Sequence, residues 1–184
     1  MEPDKIILEE DLYSDEEVKE SKFKKFFVIA LAIFLIVLLA AYAFVNAAGV
    51  DVLSGLALSF KAKENEIDFS FGNKLVFEGN TLKELKKIYY DNPDVEFKAC
   101  LKGEKIDSTY YITEVIVPIT YEQTYRSVTA EPCSTDSIVD LHSHPLNRCL
   151  PSDQDFKSFS RFKERNPNAL MVVMCQDNRF GIYE

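Results

Sequence analysis

The sequence predicts a mixed α/β (α+β) domain, with a central, largely antiparallel sheet flanked by helices and preceded by one transmembrane helix. Three observations predict it. Residues 26–50 contain no charged side chain over 25 positions. From Ile67 onward, short runs of β-branched and aromatic residues recur between Gly, Asn and Pro turn signals. Two segments of helical period interrupt those runs, one opening at Thr81 and one at Ser152.

Residues 1–25 are rich in Asp and Glu and poor in aromatics, the composition of a flexible, solvated tail. Residues 26–50 would give ~37 Å of helix, more than a hydrocarbon core of roughly 30 Å. They are therefore expected to enter the lipid bilayer. A buried helix apolar on every face would need a larger soluble domain around it than 184 residues supply. A cleaved signal segment is the alternative, with Lys22, Lys24 and Lys25 before the run and Ala41-Tyr42-Ala43 late in it. The long acidic stretch ahead of the run, and its continuation past Ala43, favour an anchor.

Residues 51–80 read as a linker and a short hairpin around Gly72-Asn73, and residues 81–184 as the main domain. Thr81 and Glu84 have capping-box spacing. Leu82, Leu85 and Tyr89 form a helical stripe that Asn92-Pro93 stops. A strand is expected over 95–101, turning at Lys102-Gly103-Glu104, then a long one over 110–120 and a short one over 137–141 that delivers His142. Ser152 caps a second helix carrying Phe156, Phe159 and Phe162, which ends near Asn166-Pro167. Strands over 169–175 and 179–183, around Gln176-Asp177-Asn178, complete the domain.

The chemistry lies between the third of these strands and the second helix. Residues i and i+2 of a strand point to one face, so His142 and His144 can grip a single cation. Asp155 lies in the first turn of the helix that Ser152 caps. Two imidazoles and a carboxylate, with one position open, describe a catalytic zinc site rather than a structural one. The expectation is one Zn2+ per chain with a bound water, whose pKa coordination lowers toward ~7.

The spacing H-x-H-x7-S-x2-D over His142, His144, Ser152 and Asp155 resembles, at every fixed position, that of the JAMM/MPN+ metalloproteases. That family also shows an upstream glutamate in a context like E-x-x-[GA]-x-L-x-G, which Glu96, Ala99, Leu101 and Gly103 fit. The resemblance covers residues 81–184 and implies an MPN-like fold. It implies a zinc isopeptidase or peptidase that releases ubiquitin or ubiquitin-like proteins from lysine. Glu96 would be the general base, taking a proton from water and returning it to the leaving amine. Ser152 would donate a hydrogen bond to the oxyanion of the tetrahedral intermediate. Many members carry a further C-terminal helix and long substrate-clamping insertions, and neither is evident in residues 81–184.

Each residue also has a plainer role open to it. Two strand histidines can simply be exposed, Ser152 can be an ordinary helix cap, and Glu78, Glu104, Glu114 and Glu122 compete with Glu96. Ser143 and Pro145 suit the shaping of the strand exit. Asp140, on the strand face of His142, could hydrogen-bond an imidazole, and Asp153 suits the helix dipole. Cys100, Cys133, Cys149 and Cys175 show no metal-binding spacing. A Cys133–Cys149 disulfide, a redox-sensitive Cys149, and four small apolar side chains are the alternatives.

Function then divides three ways: a membrane-anchored zinc isopeptidase acting on ubiquitin-like conjugates or other proteins, a surface zinc peptidase with an unrelated substrate, or a noncatalytic MPN-like binding module. The net charge of −9 argues against nucleic acid as a partner. Lys19, Lys22, Lys24 and Lys25 precede the apolar run, against Lys61 and Lys63 after it, a bias that places the main domain outside the cytoplasm. Ubiquitin-like conjugates sit on the other side.

Overall fold

A computed structural model describes residues 21–46 and 49–184. The tail expected over 1–25 lies, as far as residue 20, outside them. The chain divides into two compact units, Met1–Phe44 and Val45–Glu184. In the first, helix α1 (Lys22–Asn46) exposes apolar side chains on all sides, among them Phe26, Phe34 and Leu39. Over residues 22–43 it is long and apolar enough to cross a membrane, a test that a signal segment also passes. The helix closes at Asn46, earlier than the expected limit at residue 50, and Gly49 already opens helix α2 (Gly49–Leu58).

Helix α2 falls where a linker was expected. It packs closely at Gly55, where a Cβ would stand 3.1 Å from the Cys149 backbone nitrogen and press on that loop. The Arg179 guanidinium donates to Leu56 O at 2.7 Å, satisfying a carbonyl of the last helical turn.

The strands follow as β1 (Phe60–Lys61), β2 (Glu66–Phe69), β3 (Asn73–Phe77), then helix α3 (Thr81–Asp91). Next come β4 (Lys98–Ile106), β5 (Thr109–Ile116), β6 (Thr120–Gln123), β7 (Val128–Ala130) and β8 (Ser137–Ser143). Helix α4 (Asp153–Arg165), β9 (Leu170–Gln176) and β10 (Arg179–Tyr183) complete the order. Eight strands form one sheet in the order β1-β10-β9-β8-β4-β5-β3-β2. Only β3/β5 and β8/β9 run parallel, so the sheet is mixed and largely antiparallel, as expected.

Four details differ from the sequence expectation. Strands β1 to β3 belong to the main sheet, since β1 pairs with β10 and β3 with β5, so the domain opens well before residue 81. Thr81 builds no capping box: Asn80 is the N-cap, and the Thr81 hydroxyl donates to Glu78 O at 2.8 Å. Strand β4 runs through the expected turn at Gly103 by a bulge, where a Cβ would lie 1.8 Å from Tyr111 O. The long strand expected over 110–120 ends at Ile116. Pro118 supplies no ladder donor, and the chain starts afresh as the separate β6–β7 hairpin.

Alternation along β4 sorts the core. Ala99 and Leu101 pack with Val139, Leu141 and Val172 and with Leu82 and Leu85 of α3. Cys100 faces the other way, with Met171 and with Phe159 and Phe162 of α4. Burying each of those phenylalanines contributes about 1.5–3 kcal/mol and fixes α4 on that face. Phe156, expected on the same stripe, is 45% exposed and meets the Tyr183 ring edge-on instead. In the β4/β8 register Lys98 lies opposite His142 and Cys100 opposite Asp140, so His142 emerges on the side that α4 covers.

Candidate metal centre

The site forms where β8 ends beneath the N-terminus of α4. All seven residues of β8 are buried, which carries His142 into the interior. His144 follows one residue beyond the strand, its backbone nitrogen donating to Met174 O of β9 at 3.0 Å. The two imidazole centroids lie 4.8 Å apart. The loop from Pro145 to Pro151 then turns the chain back, with Leu146 (φ 62°) and Asn147 (φ 60°) in the left-handed region.

At the head of α4, Ser152 and Asp155 make a reciprocal cap. Both the backbone nitrogen and the hydroxyl of Ser152 donate to Asp155 Oδ2 at 2.7 Å, and Asp155 N donates back to Ser152 Oγ. The cap aims the carboxylate. Asp155 Oδ2 stands 3.4 Å from His142 Nε2 and 3.6 Å from His144 Nε2. The ligand atoms of His142, His144 and Asp155 all lie within 4.8 Å of one another, so the group could hold a metal ion.

Two features test whether a cation fits. Among the described residues the buried His142 Nε2 has no hydrogen-bond partner, with the Asp155 carboxylate at 3.4 Å, a cost that a folded protein rarely leaves uncompensated. His144 Nδ1 lies 3.1 Å from Arg148 O. A carbonyl only accepts, so that nitrogen carries the proton and leaves the Nε2 lone pair free for a metal. Ligands on a tetrahedral zinc at ~2.0–2.2 Å stand roughly 3.3–3.6 Å apart. The two His–Asp separations match that edge.

Glu96 joins the same cluster. It sits just before β4 rather than within it, held by its backbone nitrogen donating to Thr124 O at 2.8 Å. Next to it, Phe97 N donates to Ser143 Oγ and Ser143 N donates to Phe97 O, both at 2.9 Å. Glu96 Oε1 thereby lies 3.6 Å from His144 Nε2. Burial pushes the Glu96 carboxyl up from its ordinary value, with Asp155 adding to the rise and the two imidazoles opposing it. For Asp155 burial also acts upward, but His142, His144 and the Ser152 hydroxyl outweigh it and hold the carboxyl well below the usual range. Two carboxyls of one pocket are thus driven apart.

The residues Glu96, His142, His144, Ser152 and Asp155 come together. Ser152 does so as an exposed cap whose hydroxyl is already given to Asp155, and it has to turn from that oxygen to meet an oxyanion. Asp140 does not reach an imidazole: Lys98 Nζ takes it at 3.0 Å. Glu78 and Glu114 face a separate surface hollow with Thr81 and Thr113. The sequence reasoning missed the Thr124 carbonyl, the Arg148 carbonyl and the Lys98 side chain. Only Lys98 had a signal available, an alternation that puts it on the His142 face.

The cysteines pair as Cys100–Cys133 and Cys149–Cys175, correcting the suggested Cys133–Cys149 bridge. Cys149 is drawn to β9 because its loop lies over the sheet there, with Tyr183 donating to Cys149 O at 3.1 Å and Gln176 to Asn147 at 3.0 Å. No model of a known protein family matches the chain, and no curated protein matches it either.

Proposed function

We propose that this chain is a membrane-anchored, zinc-dependent hydrolase of peptide or isopeptide bonds in protein substrates, of the JAMM/MPN+ type. The observation that carries the proposal is the buried His142 Nε2, without a hydrogen bond among the described residues and 3.4 Å from the Asp155 carboxylate, beside a buried Glu96 carboxyl whose pKa is raised. The donor set of two imidazole nitrogens and one carboxylate oxygen suits zinc and leaves room for substrate. Zinc, when bound, would supply Lewis acidity and a hydroxide nucleophile near neutral pH.

The chain's own groups supply the rest. Glu96, as carboxylate, accepts a proton from the attacking water at Oε1. The same carboxyl, its pKa raised by burial, then returns the proton to the leaving amine. This second transfer matters, because a lysine amine leaves poorly unless protonated. Asp155 stays ionised throughout, steadied by Ser152. The Arg148 carbonyl fixes the His144 ring. Ser152, on turning outward, would donate to the oxyanion.

The test uses the full chain in detergent. Zinc per chain is measured together with cleavage of a ubiquitin-like isopeptide conjugate and of a peptide library, beside Glu96→Gln and His144→Ala. One zinc in wild type, retained in Glu96→Gln with activity lost, and both lost in His144→Ala, supports the mechanism. A folded chain that takes up no zinc overturns it and leaves a noncatalytic binding module.

A further inference from the structure

We infer that the metal-centre domain resides on the oxidising, extracytoplasmic side of its membrane, and that its substrates are therefore exported or surface-exposed proteins. Two observations of different kind converge. All four cysteines of the chain are paired as disulfides, Cys100–Cys133 and Cys149–Cys175. Four lysines precede the apolar span and two follow it within 20 residues.

The disulfides join distant parts of the domain rather than closing chance surface pairs. Cys100 lies in mid β4 and Cys133 on the stretch between β7 and β8, 33 residues apart in sequence. Cys149 sits in the loop between the proposed metal ligands, and Cys175 near the end of β9. All four are buried, and Cys100 and Cys133 line the apolar cluster under α4. Structural bridges of this kind form and persist where the compartment is oxidising, and are rare where thiols are kept reduced.

The lysine bias is an independent argument. Lys19, Lys22, Lys24 and Lys25 would hold their flank of the span on the cytoplasmic side. One crossing then delivers residues 60–184 to the opposite side, where the bridges can form. A cytoplasmic ubiquitin-like conjugate never meets such a site. The substrate class becomes a peptide or isopeptide bond in a protein that has itself crossed the membrane. The location stands on the cysteines and the span alone; the substrate class rests also on the hydrolase proposed above.

The experiment uses the full chain in a bacterial inner membrane. Spheroplasts, with the outer face exposed, and inside-out vesicles are treated with a protease that cannot cross the bilayer, and fragments are followed by an antibody to residues 60–184. In parallel, cells are quenched in acid, the protein is unfolded, and its thiols are labelled with a maleimide, with and without prior reduction. The expected result is digestion in spheroplasts, protection in inside-out vesicles, and maleimide labelling only after reduction. Protection in spheroplasts, or labelling without reduction, overturns the inference. Neither readout depends on zinc or turnover. A domain found outside but unable to bind zinc would sink the hydrolase and keep the location.

Discussion

His142 Nε2 faces Asp155 Oδ2 across 3.4 Å in the interior of the domain, and among the described residues no hydrogen bond satisfies the nitrogen. A cation between them removes that cost, so zinc should stabilise the fold and not merely occupy it. At a zinc concentration of about 100 times its dissociation constant the gain is about 2.7 kcal/mol. For a unit of this size that corresponds to a rise in Tm of roughly 8 °C. His142→Ala should abolish the zinc-dependent rise in a thermal melt. A melt of that variant that still moves with zinc would place the metal elsewhere.

In the mechanism proposed above, Glu96 serves the chemistry at a cost to folding. Its carboxyl is raised from 4.5 chiefly by burial, so the folded state binds its proton more tightly than the unfolded state does. The penalty of holding it ionised is therefore absent well below pH 4.5 and grows as pH rises through the folded value. Metal-free Glu96→Gln should melt above metal-free wild type at pH 7, with the gap closing as pH falls toward 4. The same variant should retain zinc and lose about 10²–10⁴ in kcat. Equal melting at both pH values would show that the carboxyl is not desolvated.

Ser152 binds Asp155 Oδ2 twice, through its backbone nitrogen and its hydroxyl. Ser152→Ala keeps the first bond and loses the second, together with the cap on Asp155 N. The expected cost is about 1 kcal/mol of stability and about 10-fold or more in zinc affinity, because a group that orients a ligand has gone. Ser152→Thr restores the cap and should restore affinity in a chelator competition. If the alanine variant loses turnover with unchanged affinity, the hydroxyl serves the oxyanion alone.

How much of this was legible beforehand depends on how far apart the interacting groups lie. The i, i+2 pair His142 and His144, and the i, i+3 cap from Ser152 to Asp155, are local geometry, and periodicity places them. The alternating runs gave most strands of the sheet. The rest comes from long-range pairing that no window of sequence contains. Strand β1 joins β10 across more than 100 residues, and Thr124, in the turn of the separate β6–β7 hairpin, meets Glu96. Local rules also mislead when tertiary context overrides them, as at Thr81, where Asn80 rather than Thr81 is the cap residue.

Lys98 and Asp140 form a pair that is almost buried, with side-chain exposures of 12% and 10%, next to His142 in the register. Removing either partner leaves a charge that water barely reaches. Lys98→Met and Asp140→Leu should each cost about 3–5 kcal/mol by denaturant unfolding. The double variant should recover most of that loss, since a hydrophobic pair carries no desolvation penalty. Additive losses would show that the two charges are not coupled.

The two disulfides offer an internal comparison. Their loops are similar in length, 26 and 33 residues, so chain entropy gives each about 3.5 kcal/mol of stabilisation. Their surroundings differ. Cys149 lies next to Arg148, whose carbonyl orients His144, and Tyr183 fixes the Cys149 carbonyl in turn. Cys133 has no such link to a candidate metal ligand among the described hydrogen bonds. The double variants Cys149→Ser with Cys175→Ser, and Cys100→Ser with Cys133→Ser, should lose stability by similar amounts. Only the first should also weaken zinc binding, by about 10-fold or more, because the His144 ring is no longer held. Chelator competition at a temperature where both remain folded separates the two effects. Equal zinc affinity in the two variants would mean that Cys149–Cys175 staples the fold and has no part in shaping the metal centre.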